Sequence, residues 1–155
     1  LHININTLTL GDDIMTFDLS LPAPITASLN HWHDMVLKQD LSDLMSILAV
    51  DAQFRSPAVF KPYQGAPVVN LILNTVLQVF EDFSYHRVFA TPDGDSVVLE
   101  FKAMAAGKEI HGIDMIRFNS DGKITDFEVM IRPMSALQTL AAEMGARLAP
   151  FMPAK

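Results

Sequence analysis

From Asp82 to Arg132 the apolar residues of the chain recur at every second position instead of every third or fourth, and this change of period limits the fold more than any other feature. Period two puts alternate side chains on opposite faces of a sheet, and the segment reads as strands over 83–90, 96–105, 109–118 and 124–132. Between them lie Pro92-Asp93-Gly94-Asp95, Ala106-Gly107 and Ser120-Asp121-Gly122. Proline presets φ, glycine supplies positive φ, and Asp or Ser bonds its own backbone, so each of these is a tight turn. Strands joined so closely pair antiparallel.

Ahead of this segment the period is helical. Ile25, Leu29, Trp32 and Val36 lay one apolar stripe on a helix over 25–38. Asp40-Leu41-Ser42 offers a break and a fresh N-cap, and Leu44, Ile47 and Leu48 follow as a short second helix. Residues 52–56 read as a brief strand stopped by Pro57, which cannot donate to a ladder. Gly65-Ala66-Pro67 opens a third helix with an inner face of Leu71, Ile72, Thr75, Val76 and Val79. After Pro133, Ser135 with Gln138 reads as a capping box, and Leu137, Leu140, Ala141, Met144 and Leu148 make a terminal amphipathic helix. The order α-α-β-α-β-β-β-β-α predicts an α+β domain over 24–150, a curved antiparallel sheet packed by helices on one face, with a tail at 151–155. Residues 1–23 read as an arm or a leader. Ile3, Ile5, Leu8 and Leu10 alternate with Asn and Thr as an edge strand or swapped arm would, and a start at Met15 would equally make 1–14 a leader.

Half of the 155 residues are hydrophobic and 19% are charged, enough to build one core. The absence of cysteine excludes disulfides, thiol nucleophiles and cysteine-held metal clusters, and fits a reducing compartment, the cytoplasm. A net charge of −7, with eleven Lys and Arg spread singly, speaks against nucleic acid as a partner. No apolar run reaches the roughly 18–20 residues of a membrane span, so no membrane partner is expected. His31 and His33 are two apart on a helix and point away from each other, so they form no metal pair. No nucleotide-binding loop, nucleophile elbow or zinc motif is present, and no cofactor or metal is expected.

The chemistry concentrates on the third strand of the sheet segment. Ile110, Gly112, Asp114, Ile116 and Phe118 share one face; His111, Ile113, Met115 and Arg117 share the other. A two-residue turn at Ala106-Gly107 places Leu99 beside Asp114, and a four-residue loop at 119–122 places Phe127 on the other flank, with Ile116 opposite Thr125. Asp114 is then the lone carboxylate on a face of Leu99, Phe101, Ile116, Phe127, Val129 and Ile131. An ionised carboxylate there must protonate or find a donor. Kept neutral, it can donate a short hydrogen bond to a developing oxyanion; alternatively it is a structural aspartate satisfied by backbone or water. Tyr63, His33, His86 and Glu100 are the nearby groups that could act as a base, and the register of 83–90 leaves open whether Tyr85 and Arg87 or His86 and Ser84 face inward.

The run Ile113-Asp114-Met115-Ile116-Arg117-Phe118-Asn119-Ser120-Asp121-Gly122-Lys123-Ile124 resembles the oxyanion-strand hairpin of ketosteroid isomerases. Asp40-Leu41, Asp51-Ala52 and Ser56-Pro57 fall where that family has its helix break and first strand. Residues 25–149 as a whole resemble the nuclear-transport-factor-2-like superfamily, in its SnoaL-like subgroup. The resemblance implies a cone-shaped cystatin-like roll, with helices on the concave face of the sheet. It puts Asp114 at the place of a protonated oxyanion-hole aspartate, and Ile116, Phe127, Val129 and Ile131 in the wall of an apolar pocket. Trp32 stands where the isomerases carry the tyrosine that completes the hole, and Ser56 where they carry the aspartate base. Serine cannot take a proton from carbon unaided, so the isomerase mechanism as such is absent, and His86 or Tyr63 would have to assist Asp114. Two readings follow. One is a cofactor-independent proton-transfer enzyme of isomerase or cyclase type, acting on a small hydrophobic carbonyl compound held by Trp32, Ser56, Leu99, Phe101 and the pocket-wall residues above. The other is a non-catalytic apolar-ligand-binding or dimeric interaction domain. Either way the resemblance implies a homodimer through the outer sheet face, where His111 lies.

Overall fold

A computed structural model describes residues 6–10, 13–17 and 20–152, with side chains from residue 20 onward. Near the N-terminus β1 (Asn6–Leu10) and β2 (Asp13–Phe17) pair antiparallel as a separate two-stranded sheet, with Met15 opposite Leu8. Ile3 and Ile5 lie outside the described residues. Next come α1 (Ala23–Leu37), a short 3-10 turn at Leu44–Ile47, β3 (Leu48–Arg55), the two-residue β4 (Tyr63–Gln64) and α2 (Ala66–Val79). The chain closes with β5 (Glu81–Ala90), β6 (Ser96–Ala105), β7 (Lys108–Phe118), β8 (Ile124–Arg132) and α3 (Met134–Leu148). Six strands form a curved, unclosed sheet in the order β4-β3-β8-β7-β6-β5, and the helices pack on its concave face. The result is the α+β domain that the element order implied, in the cone shape that the resemblance implied.

Four corrections carry physical reasons. The sheet is mixed, not wholly antiparallel: β3 runs parallel to β8, because β3 reaches β8 through a long crossover that includes α2. Leu48 begins β3 instead of ending a helix, since the preceding turn is too short to hold it. On α2 the buried face is Ala66, Val69, Ile72, Leu73 and Val79, which leaves Leu71 and Thr75 half-buried on its flank. The capping box is absent: α3 starts at Met134 directly after an extended Pro133, so Ser135 already lies inside the helix, its carbonyl accepting from Thr139 Oγ1 at 3.1 Å.

Two turns and one close approach set the register of the central strands. Ala106 and Gly107 both take positive φ (48° and 76°), the mirror-image turn that matches strand twist, and β6 and β7 then pair without a break. Gly122 also has positive φ (78°), and a β-carbon there would collide with the Pro24 carbonyl, so only glycine lets this hairpin dock on the start of α1. One extra residue in β8, between the pairs Phe118–Ile124 and Arg117–Asp126, makes a bulge. Phe118 pairs with Ile124, so the hairpin loop holds five residues instead of four, and loop and bulge together set Asp114 opposite Val129 and Ile116 opposite Phe127, two positions beyond the pairing that a plain four-residue loop predicts. A shift of two keeps every side chain on its face, so Asp114 still looks into the cone.

Candidate functional site

Three elements bring one polar side chain each to the apolar interior. Ile25, Leu29 and Trp32 fall on the buried stripe of α1, which aims the Trp32 indole at the sheet. Period two turns Asp114 of β7 inward between Leu99 and Val129. On β5 the pairing with β6 is interrupted between Tyr85 and Val88, so these two side chains, three apart, both point inward.

The three groups form a hydrogen-bonded chain. Trp32 Nε1 donates to Tyr85 Oη at 3.0 Å, and Tyr85 Oη donates to Asp114 Oδ2 at 2.5 Å. Asp114 is 6% exposed, and burial pushes its carboxyl up from 3.8 to about 7, the Tyr85 bond pulling back only in part. Burial and the neighbouring carboxylate push the Tyr85 phenol well above its ordinary range. Near neutral pH the pair thus holds a readily exchanged proton on the carboxyl side and a firmly held one on the phenol. Such a pair can donate to a ligand oxygen as it gains negative charge.

The pair opens onto a cavity of about 330 Å³. Phe54, Ser56 and Pro57 at the end of β3, Tyr63 of β4, and Ile72 and Val76 of α2 form one side. Phe127, Val129 and Ile131 of β8 form a second, and Leu140, Met144 and Leu148 of α3 a third. Among the lining residues the polar side chains are Trp32, Ser56, Tyr63, Tyr85 and Asp114, and Asp114 carries the lone carboxyl. The volume lies at the small end of ligand pockets, roughly 300–1,000 Å³, and the lining has their usual character, an apolar wall with a few convergent polar groups.

The residues singled out in the sequence divide into two sets. Asp114, Tyr63, Trp32, Ser56, Phe127, Val129 and Ile131 all stand in the cavity wall. Leu99, Phe101 and Ile116 do not: they are wholly buried in the core and sit beneath the wall, not in it. His86 does not reach the cavity either; the break after Tyr85 turns it aside, and its Nε2 meets Ser84 Oγ at 3.1 Å in an exposed position. Glu100 lies on the other face of the sheet, held by Arg87 at 2.6 Å and His111 at 2.9 Å, which keep its carboxyl at about 2. The Trp32 indole is spent on Tyr85 Oη. Ser56 Oγ accepts from the Ala58 N–H at 3.0 Å and has no imidazole or carboxylate beside it among the described residues.

Sequence reasoning underweighted Tyr85. Its signal was present as one of two open registers for β5, but the irregularity that decides between them has no mark in residue types. The contribution of α3 was likewise hidden, because its apolar stripe read as ordinary core.

Against known proteins, residues 29–127 match the SnoaL-like domain family. A steroid delta-isomerase from Pseudomonas aeruginosa is 59% identical over 86% of this chain and 97% of its own, with a TM-score of 0.84. A bacterial protein with a cystatin-like fold from Silicibacter pomeroyi is 32% identical, covering 80% of this chain and 86% of its own, with a TM-score of 0.75. An epoxide hydrolase/cyclase-like enzyme of pyran ring formation in salinomycin, 15% identical over 71% of this chain and 91% of its own (TM-score 0.59), shares the fold. No curated protein matches the chain.

Proposed function

The chain belongs to the SnoaL-like family, and on that premise we propose that it is a cofactor-independent proton-transfer enzyme of isomerase or cyclase type for a small hydrophobic carbonyl compound. One observation carries the proposal: a wholly buried carboxyl, bonded at 2.5 Å by a phenol, at the polar end of an otherwise apolar cavity. The ligand's apolar body lies along Phe54, Phe127 and α3, and its carbonyl oxygen meets Asp114 and Tyr85. When a proton leaves the carbon beside the carbonyl, the electron pair moves onto that oxygen. The proton on Asp114 then stabilises the enolate, and the apolar wall makes this worth more than it would be in water. The carbon-bound proton needs an acceptor, and Tyr63, the ionisable side chain of the wall outside the Asp114–Tyr85 pair, is the candidate to relay it to solvent, its oxygen taking that proton as its own passes to water. The 59% identical neighbour is a steroid delta-isomerase, which makes a steroid ketone the first compound class to try.

A purely ligand-binding role is the second reading, and Ser56 favours it: no carboxylate base stands at that place. We place a homodimer contact on the outer sheet face, where Phe89 and Met130 are about half exposed among Arg87, Glu100 and His111; sedimentation equilibrium reads it out.

Titration with a fluorescent naphthol, together with deuterium exchange beside the carbonyl of a steroid ketone, separates the readings. A bound, ionised naphthol whose affinity falls at least tenfold in Asp114→Leu, together with exchange that Asp114→Leu abolishes and Tyr63→Phe slows, supports the enzyme. Binding without exchange supports the binder. Absence of naphthol binding by wild type sinks both.

A further inference from the structure

We propose that His33 is a positioning residue: its imidazole, packed edge-on against Tyr85 from α1, holds the phenol where it bonds both Trp32 and Asp114. The role in catalysis rests on the function proposed above, but the positioning itself can be read without any substrate.

Tyr85 needs holding. Its strand loses pairing immediately after it, so the sheet does not fix its C-terminal flank. The ring is instead crossed by two others at nearly right angles, Phe83 at 4.9 Å between centroids (89°) and His33 at 5.2 Å (86°). Perpendicular rings of this kind attract beyond their buried area and fix orientation. Phe83 sits on the same strand and moves with it. His33 belongs to α1 and is the next residue after Trp32, whose indole bonds the Tyr85 hydroxyl. One helix therefore grips Tyr85 twice, at the ring through His33 and at the oxygen through Trp32.

The histidine is also costly where it stands. It is 6% exposed, not on the surface as a histidine of a polar helix face would be, and its Nε2 finds no hydrogen-bond partner among the described residues. An aliphatic side chain would fill the space without that cost, so the ring calls for a role that a flat aromatic edge performs. Burial pushes the imidazole down to about 3, so it is neutral across the working range and adds no positive charge to the site. The neighbouring ionisable groups of α1 turn outward, His31 to Asp43 at 2.8 Å and Asp34 to Lys38 at 2.9 Å, which leaves Tyr85 and, through it, Asp114 as the groups His33 bears upon.

Trp32 is the single tryptophan of the chain, so its indole N–H gives one unambiguous NMR signal for the bond to Tyr85. The experiment compares that signal, and the midpoint of the Asp114 carboxyl titration, in wild type, His33→Phe, His33→Leu, His33→Met and a Tyr85→Phe reference. The Phe variant, which keeps a ring, should leave both unchanged. The Leu and Met variants should move the indole signal toward the Tyr85→Phe position and raise the Asp114 midpoint by about one unit, a tenfold change in proton affinity. Leu and Met fill the volume differently, so one folded chain of the two suffices. Wild-type signals in a folded Leu or Met variant overturn the proposal. So does a Phe variant that shifts as far as they do or loses the fold, and so does failure of both Leu and Met to fold beside a folded Phe variant.

Discussion

Two carboxylates on neighbouring strands, both nearly closed to solvent, have opposite fates. Glu100 of β6 is 7% exposed on the outer face of the sheet, and Asp114 of β7 is 6% exposed on the inner face. Glu100 receives two bonds from the Arg87 guanidinium, at 2.8 and 2.6 Å, and one contact from His111, and its carboxyl is held at about 2. Asp114 receives one phenol and no cation, and is pushed up to about 7. Accessible surface is nearly equal in the two, but Glu100 is covered only by the Arg87 and His111 side chains at the outer face while Asp114 is sunk in the apolar interior, so depth and partners together decide the outcome. A carboxylate given its counter-ions is a fixed part of the scaffold. One denied them keeps a proton that can be lent, and the fold supports that uncompensated group with the apolar core around it.

The sharpest way to break this comparison is stability against pH, since the two groups act in opposite directions. The Asp114 carboxyl is raised on folding, so the folded state binds its proton more tightly. Its contribution is complete below about 4 and is lost as pH rises through about 7. Three units amount to about 4 kcal/mol. Urea unfolding at a series of pH values should show this decline in wild type, and Asp114→Asn should flatten it; an equal slope in both chains would refute the assignment. Glu100 works the other way: its lowered carboxyl stabilises above the ordinary value of 4.5 and loses that contribution as pH falls toward 2, which Glu100→Gln should remove.

Smaller effects sharpen the contrast. Gly112 lies two residues before Asp114 on the same face, and a β-carbon there would stand 2.5 Å from the Phe101 ring and 2.6 Å from the Met130 carbonyl. Gly112→Ala should cost about 1–3 kcal/mol by overpacking under the cavity, read as a lowered melting temperature. Tyr85→Phe removes the donor that pulls the Asp114 carboxyl down, so the midpoint should rise above 7, with about 1 kcal/mol lost in denaturation. Least of all, Arg87→Met should leave the melting temperature almost unchanged, because Arg87 is 70% exposed and His111 still meets Glu100.

Much of this was legible in the residues. Turn chemistry at Ala106-Gly107 paired Leu99 with Asp114 directly, and period two put Asp114 and Gly112 on the inner face. The two errors of strand pairing share one cause: local irregularity that side-chain types do not encode. The fifth residue of the hairpin loop and the extra residue in β8 together moved the partner of Asp114 from Phe127 to Val129 without turning any side chain over, so the site survived the error. The broken pairing after Tyr85 was less forgiving, because there the face itself was at stake, and it exchanged His86 for Tyr85 in the cavity. His33 was legible as a nearby candidate base but not as a ring packed on Tyr85, since the apolar stripe of α1 gives no warning that a histidine beside it is buried.

The central claim, that the fold leaves Asp114 without a counter-charge so that it holds a proton near neutrality, is tested most directly by carbon-13 NMR titration of the side-chain carboxyls. The account predicts an Asp114 midpoint close to 7, with Glu100 of the same sheet still ionised down to about 2. An Asp114 midpoint near 4, in a chain whose other signals show it folded, would contradict it.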